Sequence, residues 1–298
     1  MLGLLGLASS AYATPVTIQD GFVQAGVNDV GTLGSGGTTP PGILYDKTGT
    51  GSYGINDFLT PGTPFEGYSA TWGGGAACAN NSDYNCLNNI ASSAPTLTSP
   101  TTATWAGMSS DGSLSIMNAY TLTTIGGQSV IAITTTLTNN TGGTMTGLQF
   151  LRTLDPDPDV NAFGSFYTDN KVLSDDQACG TGPDTGETIC IYSFSSYHHK
   201  AGVSEAWTTN PADYLAGLND GNGDYAIGMG FLLGDLGAGQ SFTFDYGYAL
   251  GASLGAASGG TSVPEPSGLA MFGLGALGLL GLAYFDASRR RRNAVRNG

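Results

Sequence analysis

The sequence is poor in positive charge. Of its 298 residues only nine are Lys or Arg, and five of these, Arg289, Arg290, Arg291, Arg292 and Arg296, crowd the C-terminus. Between Thr14 and Ser262 only Lys47, Arg152, Lys171 and Lys200 face 21 acids, a formal charge of −17. Such a body repels nucleic acid and anionic lipid, which excludes a nucleic-acid partner. Histidine is nearly missing. His198 and His199 are neighbours, which a strand would point to opposite faces, so they are read as two solvated imidazoles in a surface loop. Neither an H-E-x-x-H zinc site nor a serine nucleophile elbow is expected. Helical periodicity is also scarce. The exception is a short helix from Pro211 to Leu218, with Asn210 as its cap and Pro211 at the first helical position.

Cysteine is sparse but patterned. Cys78 and Cys86 form one close pair, and Cys179 and Cys190 another. In an oxidising compartment the simplest pairing is Cys78–Cys86 with Cys179–Cys190, although four cysteines allow three pairings. The spacing is not C-x2-C, which argues against structural zinc.

What the chain does have is a hydrophobic period of two. Phe242, Phe244, Tyr246, Tyr248 and Leu250 alternate with smaller or polar residues. So do Tyr225, Ile227, Met229 and Phe231; Ile131, Ile133, Thr135 and Leu137; Leu148, Phe150 and Leu154 around Arg152; and Leu114, Ile116, Tyr120 and Leu122. This is the signature of half-buried antiparallel strands separated by turns such as Asn139-Asn140-Thr141-Gly142-Gly143. The expected fold is all-β, an antiparallel β-sandwich with long Gly-rich loops. One such domain is assigned to residues 14–254, although Thr96 to Thr104 could instead be a linker between two domains, with a flexible Gly/Ala/Ser spacer over 255–262.

The two ends read as address labels. Leu2 to Ala8 are apolar, and Ala11-Tyr12-Ala13 fits a signal-peptidase site, so residues 1–13 are expected to be a signal peptide that begins upstream of Met1. At the other end Val263-Pro264-Glu265-Pro266 precedes an uncharged run, 268–285, and then Arg289 to Arg292. Eighteen helical residues span about 27 Å, enough for a single transmembrane helix, and the arginines would hold its far end in the cytoplasm. These three parts together, over 263–298, resemble the PEP-CTERM sorting signal of Gram-negative bacteria. The resemblance implies export and recognition by an exosortase. It also implies passing attachment to the inner membrane through the helix, then processing to the cell surface or extracellular matrix. It covers the tail alone.

Chemistry in the body concentrates in two acidic strings. Asp155-Pro156-Asp157-Pro158-Asp159 follows a strand directly; alternate residues of an extended chain project to one side, and the prolines stiffen it. Three carboxylates so close need protons or a cation, and calcium is the natural extracellular partner, with Asn161 and Asp169 available to complete its shell. Asp220-Gly221-Asn222-Gly223-Asp224 opens like a calcium loop but departs from an EF-hand at Tyr225 and Phe231, and an Asn-Gly turn explains it equally well. The candidate metal ligands are therefore Asp155, Asp157, Asp159, Asp220, Asn222 and Asp224, with no cofactor certain. Tyr53, Phe58, Phe65, Tyr68 and Trp72 lie in Gly-rich stretches and are candidates for stacking on extracellular polysaccharide. The expected role is non-enzymatic, structural or binding, at the cell surface or in a biofilm matrix, with no catalytic residue. The alternative is a secreted carbohydrate-active hydrolase with paired carboxylates drawn from Asp155, Asp157, Glu66 and Glu205.

Overall fold

A computed structural model of the chain describes residues 13–82 and 84–259. Along the chain run β1 (Val16–Gln19), β2 (Val23–Val27), β3 (Ile43–Tyr45), β4 (Glu66–Trp72), β5 (Gly75–Asn80), β6 (Thr96–Ser99), β7 (Thr102–Met108), β8 (Leu114–Ile125), β9 (Gln128–Asn139) and β10 (Met145–Leu154). There follow α1 (Val160–Phe163), β11 (Asp169–Ser174), β12 (Gln177–Thr181), β13 (Thr188–Ser193), β14 (His198–Ser204), α2 (Pro211–Leu215), β15 (Ala226–Leu236), β16 (Ser241–Gly251) and α3 (Leu254–Ser258). The ladders between these strands are antiparallel. They form an eight-stranded sheet in the order β11-β12-β13-β16-β9-β8-β7-β6, a five-stranded sheet β14-β15-β10-β4-β5, and a three-stranded sheet β1-β2-β3.

The period of two places the core as expected. Leu114, Ile116, Tyr120 and Leu122 of β8, Ile131, Ile133 and Leu137 of β9, and Phe244, Tyr246 and Tyr248 of β16 are buried. They face Phe150 of β10 and Phe231 of β15 across the two large sheets, with ring centroids of Phe231 and Phe244 5.0 Å apart. An all-β sandwich results. The three-stranded sheet adds Ile18, Val23, Ala25 and Val27 to the same core. Gly31 makes one close approach possible. At φ +70 it lies where a Cβ would stand 2.2 Å from the Trp105 ring, so no other residue fits.

Three features differ from the reading of the sequence. β10 and β15 are buried on both faces, because α2 covers the outer side of the five-stranded sheet. Tyr214 sits so close to Gly228 that a Cβ there would meet its ring at 2.6 Å. The helix itself starts as expected, with the Asn210 side chain accepting from Ala212 N and Pro211 at its first turn. Thr96 to Thr104 form no linker, since β6 and β7 pair as a hairpin. The spacer expected over 255–262 begins inside α3. There the Ser253 side chain accepts from Ala256 N, and Ala257 packs against Cys179 and Cys190.

Both cysteine pairs are disulfides, Cys78–Cys86 and Cys179–Cys190. They fit an oxidising compartment. Among the described residues no helix is long and apolar enough to cross a membrane. The first twelve residues of the expected signal peptide, the expected sorting motif Val263 to Pro266, the expected span 268–285 and Arg289 to Arg292 lie outside the described residues.

Candidate functional site

The acidic site is built where β10 ends. Beyond Leu154 the prolines prevent the ladder from continuing, yet alternate amides of the stiff segment still find partners. Asp155 N donates to Phe65 O at 2.8 Å and Asp157 N to Phe58 O at 2.9 Å. The second acidic string arrives beside it because Thr168 and Gly223 bridge two loops, Thr168 N to Gly223 O at 3.0 Å and Gly223 N to Thr168 O at 3.1 Å. Asp224 follows at once. One carboxylate oxygen from each of Asp155, Asp157 and Asp224 lies within 4.8 Å of the others.

The three differ in solvent access. Asp155 and Asp157 are each 2 % exposed, while Asp224 opens to solvent. No N–H or hydroxyl of the fold donates to either oxygen of Asp155 or to Oδ1 of Asp157; the Asp155 carboxyl meets only that of Asp224, with which it can share a proton. The two ion pairs among the described residues, Arg152–Glu66 and His199–Asp176, involve other groups. Burial, and then the charges of Asp157 and Asp224, push the Asp155 carboxyl well above the carboxylate range. Burial, and then the charge of Asp224, push Asp157 up to about 8. Burial also raises Asp224. These are the expected consequences of low dielectric and like charge at close range. An all-oxygen, hard donor set of this kind suits calcium or magnesium rather than zinc. The oxygens left without an N–H or hydroxyl donor make the cluster fit for a cation.

The remaining sequence candidates are engaged elsewhere. The Asp159 carboxylate turns away and accepts from Asp184 N, Thr185 N and the Thr185 hydroxyl. Asp220 accepts from Glu205 N, and Asn222 bridges Asn170 N and Asp169. Asn161 donates to Ile55 O. Glu66 is no partner for Asp155, because it is fully buried against Arg152. His198 and His199 stand on β14 rather than in a loop, and His199 lies against Asp176, the Tyr197 carbonyl and the Phe231 ring. Gly251-Ala252-Ser253-Leu254-Gly255 does match G-x-S-x-G, contrary to the expectation of no such elbow, but Ser253 serves as the cap of α3.

The loop aromatics are also redistributed. Phe58, Phe65 and Tyr68 are buried, Trp72 packs against the core from β4, and the Tyr53 hydroxyl donates to Asp20 O. The rings that border the acidic site are ones the sequence pattern did not single out. Trp207 Nε1 donates to Asp224 O at 3.0 Å, and exposed Tyr84 lies 5.4 Å from the Trp207 ring. Tyr167, also exposed, immediately precedes the Thr168 bridge. These loops have no strand period, so nothing in their sequence marks them.

No family model matches the chain, and no curated protein does. Among solved structures the fold is similar to a bacterial glucoamylase complexed with acarbose, at 8 % identity and TM-score 0.49, over 85 % of this chain and 35 % of the other. It is similar to a polysaccharide lyase at 10 % identity and TM-score 0.35, over 84 % and 34 %. It is also similar to a galactose mutarotase related enzyme from Lactobacillus acidophilus at 11 % identity and TM-score 0.34, over 84 % and 100 %. The chain thus spans about a third of the glucoamylase's length. Because these are carbohydrate-processing enzymes, the expectation of a non-enzyme is withdrawn. At such scores the likenesses lend this chain no activity of their own.

Proposed function

We propose that the protein is an exported, carbohydrate-active hydrolase whose acid chemistry is carried by Asp155, Asp157 and Asp224. One observation carries this reading: three carboxyl groups within 4.8 Å, two buried and one open to solvent. Unequal burial separates the roles of like groups. A carboxyl kept protonated by burial holds a proton to give, and an accessible carboxylate meets the substrate. Asp224 faces the glycosidic bond, and Asp155 and Asp157 hold the proton behind it. Cleavage of a glycoside needs an acid and a carboxylate flanking the bond, about 5 Å apart where configuration is retained, and a cluster within 4.8 Å meets only that short limit. The test is turnover on a panel of soluble glycans by reducing-end assay. Asp224→Asn should lower a measured rate by at least about 100-fold. No turnover by the unaltered protein on any glycan would overturn the reading.

The oxygens of Asp155 and Asp157 that no N–H or hydroxyl meets support a second reading, in which these residues and Asp224 hold calcium. Bound there, the cation would supply positive charge and keep all three carboxylates ionised. A rise in the thermal midpoint with millimolar calcium over chelator, lost in Asp155→Asn, would favour this reading over the acid one. An unchanged midpoint would remove it.

The address proposed for the protein is that of its tail. The Val263 to Pro266 motif, the apolar run and the arginines fit sorting by an exosortase to the cell surface or matrix. The mass of the protein recovered from cells tests this, since retention of residues 268–298 would sink it.

A further inference from the structure

We infer that Tyr84 and Trp207 form a stacking subsite for a neutral glycan chain beside Asp224. The inference extends the hydrolase reading and rests on it only for the role of Asp224. The two rings come from loops that are tied together. Asn85 Nδ2 donates to Ala206 O at 3.0 Å, the Thr209 hydroxyl donates to Asn85 O, and the Ser69 hydroxyl donates to Thr209 O. The Cys78–Cys86 disulfide closes the loop that carries Tyr84. Phe65 lies beneath, its ring 5.2 Å from Trp207 and 6.3 Å from Tyr84.

This arrangement is held against a backbone cost. Trp207 has φ 50 and Asn85 φ 51, left-handed values that bulky residues avoid and that persist only where the surroundings impose them. The result leaves Tyr84 48 % exposed and Trp207 half-buried, while Trp207 is hydrogen-bonded to the backbone of the residue that opens the acid centre. A hollow adjoins the same loops, lined by Ser69, Thr71, Asn85, Leu87 and Thr209. Aromatic faces with hydroxyl and amide groups beside them match a sugar ring, which has apolar C–H faces and a polar rim. The charge selects among sugars. Trp207 donates to Asp224 O, the next residue Thr208 donates to Asp213, and Glu205 lies two positions before Trp207, while among the described residues no Lys or Arg is paired with these acids, so uronate and sulfate chains are repelled and neutral ones are not.

Affinity electrophoresis of the full chain tests this, with gels containing hydroxyethyl cellulose, xylan, galactomannan, alginate or polygalacturonate. Retardation is expected in at least one neutral gel and in neither anionic one. Tyr84→Ala should weaken binding about tenfold and Tyr84→Phe should keep it. Equal binding by Tyr84→Ala, binding to anionic chains alone, or no retardation in any neutral gel overturns the inference. Binding without turnover leaves the subsite in place and removes the hydrolase reading; turnover with Tyr84→Ala binding undiminished does the reverse. Thermal midpoints of the variants separate lost binding from lost folding.

Discussion

Glu66 and Asp155 are both carboxylates withdrawn from water, almost side by side, and they are built in opposite ways. Glu66 pairs in register with Leu154, and Asp155 is the next residue. Glu66 receives Arg152 Nε at 2.5 Å, Leu33 N at 2.6 Å and the Tyr248 hydroxyl at 3.2 Å. Arg152 in turn lies over the rings of Tyr68 and Tyr120, at 5.7 and 6.0 Å. Asp155 has no such donor on either oxygen, only another acid, the Asp224 carboxyl, with which it can share a proton. A buried charge with donors on it fixes how strands meet. A buried carboxyl with none costs stability in the folded chain alone. A proton, a cation or a substrate has to supply what the fold leaves out.

The largest effect is expected where the charge is paired. Arg152→Met would leave Glu66 buried with its principal partner gone and should cost about 3–5 kcal/mol, read from urea unfolding. Replacing both residues, Arg152→Met with Glu66→Met, should recover most of that loss, because an apolar pair of similar volume needs no counter-charge. If the single change costs no more than the double, the pair does not compensate in the way argued.

Much of this contrast is legible in the residues, though not all of it was read. Parity already placed Arg152 with Leu148, Phe150 and Leu154, hence on the inward face; taking a polar residue to face water hides that. The D-P-D-P-D and D-x-N-x-D strings mark both halves of the acid site, since prolines and Asn-Gly turns act locally. Their meeting depends on the Thr168–Gly223 bridge, a contact 55 residues apart. Asp159 looks equivalent to Asp155 in sequence and is captured by the turn at 184–185, which local pattern cannot reveal. Tyr84 and Trp207 sit in aperiodic loops joined by side-chain bonds. Ser253 to Ser258 has a spacer's composition yet folds, because a distant disulfide offers a surface for Ala257.

A smaller effect, of the opposite kind, is expected at the unpaired centre. Burial and the Asp224 charge raise the folded-state value of Asp157 to about 8 from the ordinary 3.8. The folded chain therefore holds this proton more tightly than the unfolded one. That contribution is complete below about pH 4 and is lost as pH rises toward 8. In chelator the unaltered protein should lose stability relative to Asp157→Asn across this window, by at most about 1.4 kcal/mol for each pH unit. Urea midpoints at pH 5 and pH 8 measure the difference. Parallel behaviour of the two proteins would show that Asp157 is compensated after all, and the contrast with Glu66 would vanish. Calcium, if it binds, should flatten the dependence by holding the carboxylates ionised.

The smallest effect separates burial from charge as the cause. His199 Nε2 lies 2.9 Å from Asp176 Oδ1, as close as many strong pairs, but the Asp176 side chain is 67 % exposed. Water solvates that carboxylate whether or not the imidazole is near, so the pair replaces little that is lost on folding. Asp176→Asn should change stability by less than about 1 kcal/mol at pH 5 or pH 8. A cost comparable to that of Arg152→Met would mean that proximity of opposite charges matters here as much as desolvation. The difference between Glu66 and Asp155 would then have to be explained by partner count alone. A negligible cost leaves burial as the variable that gives a carboxylate its weight in this fold.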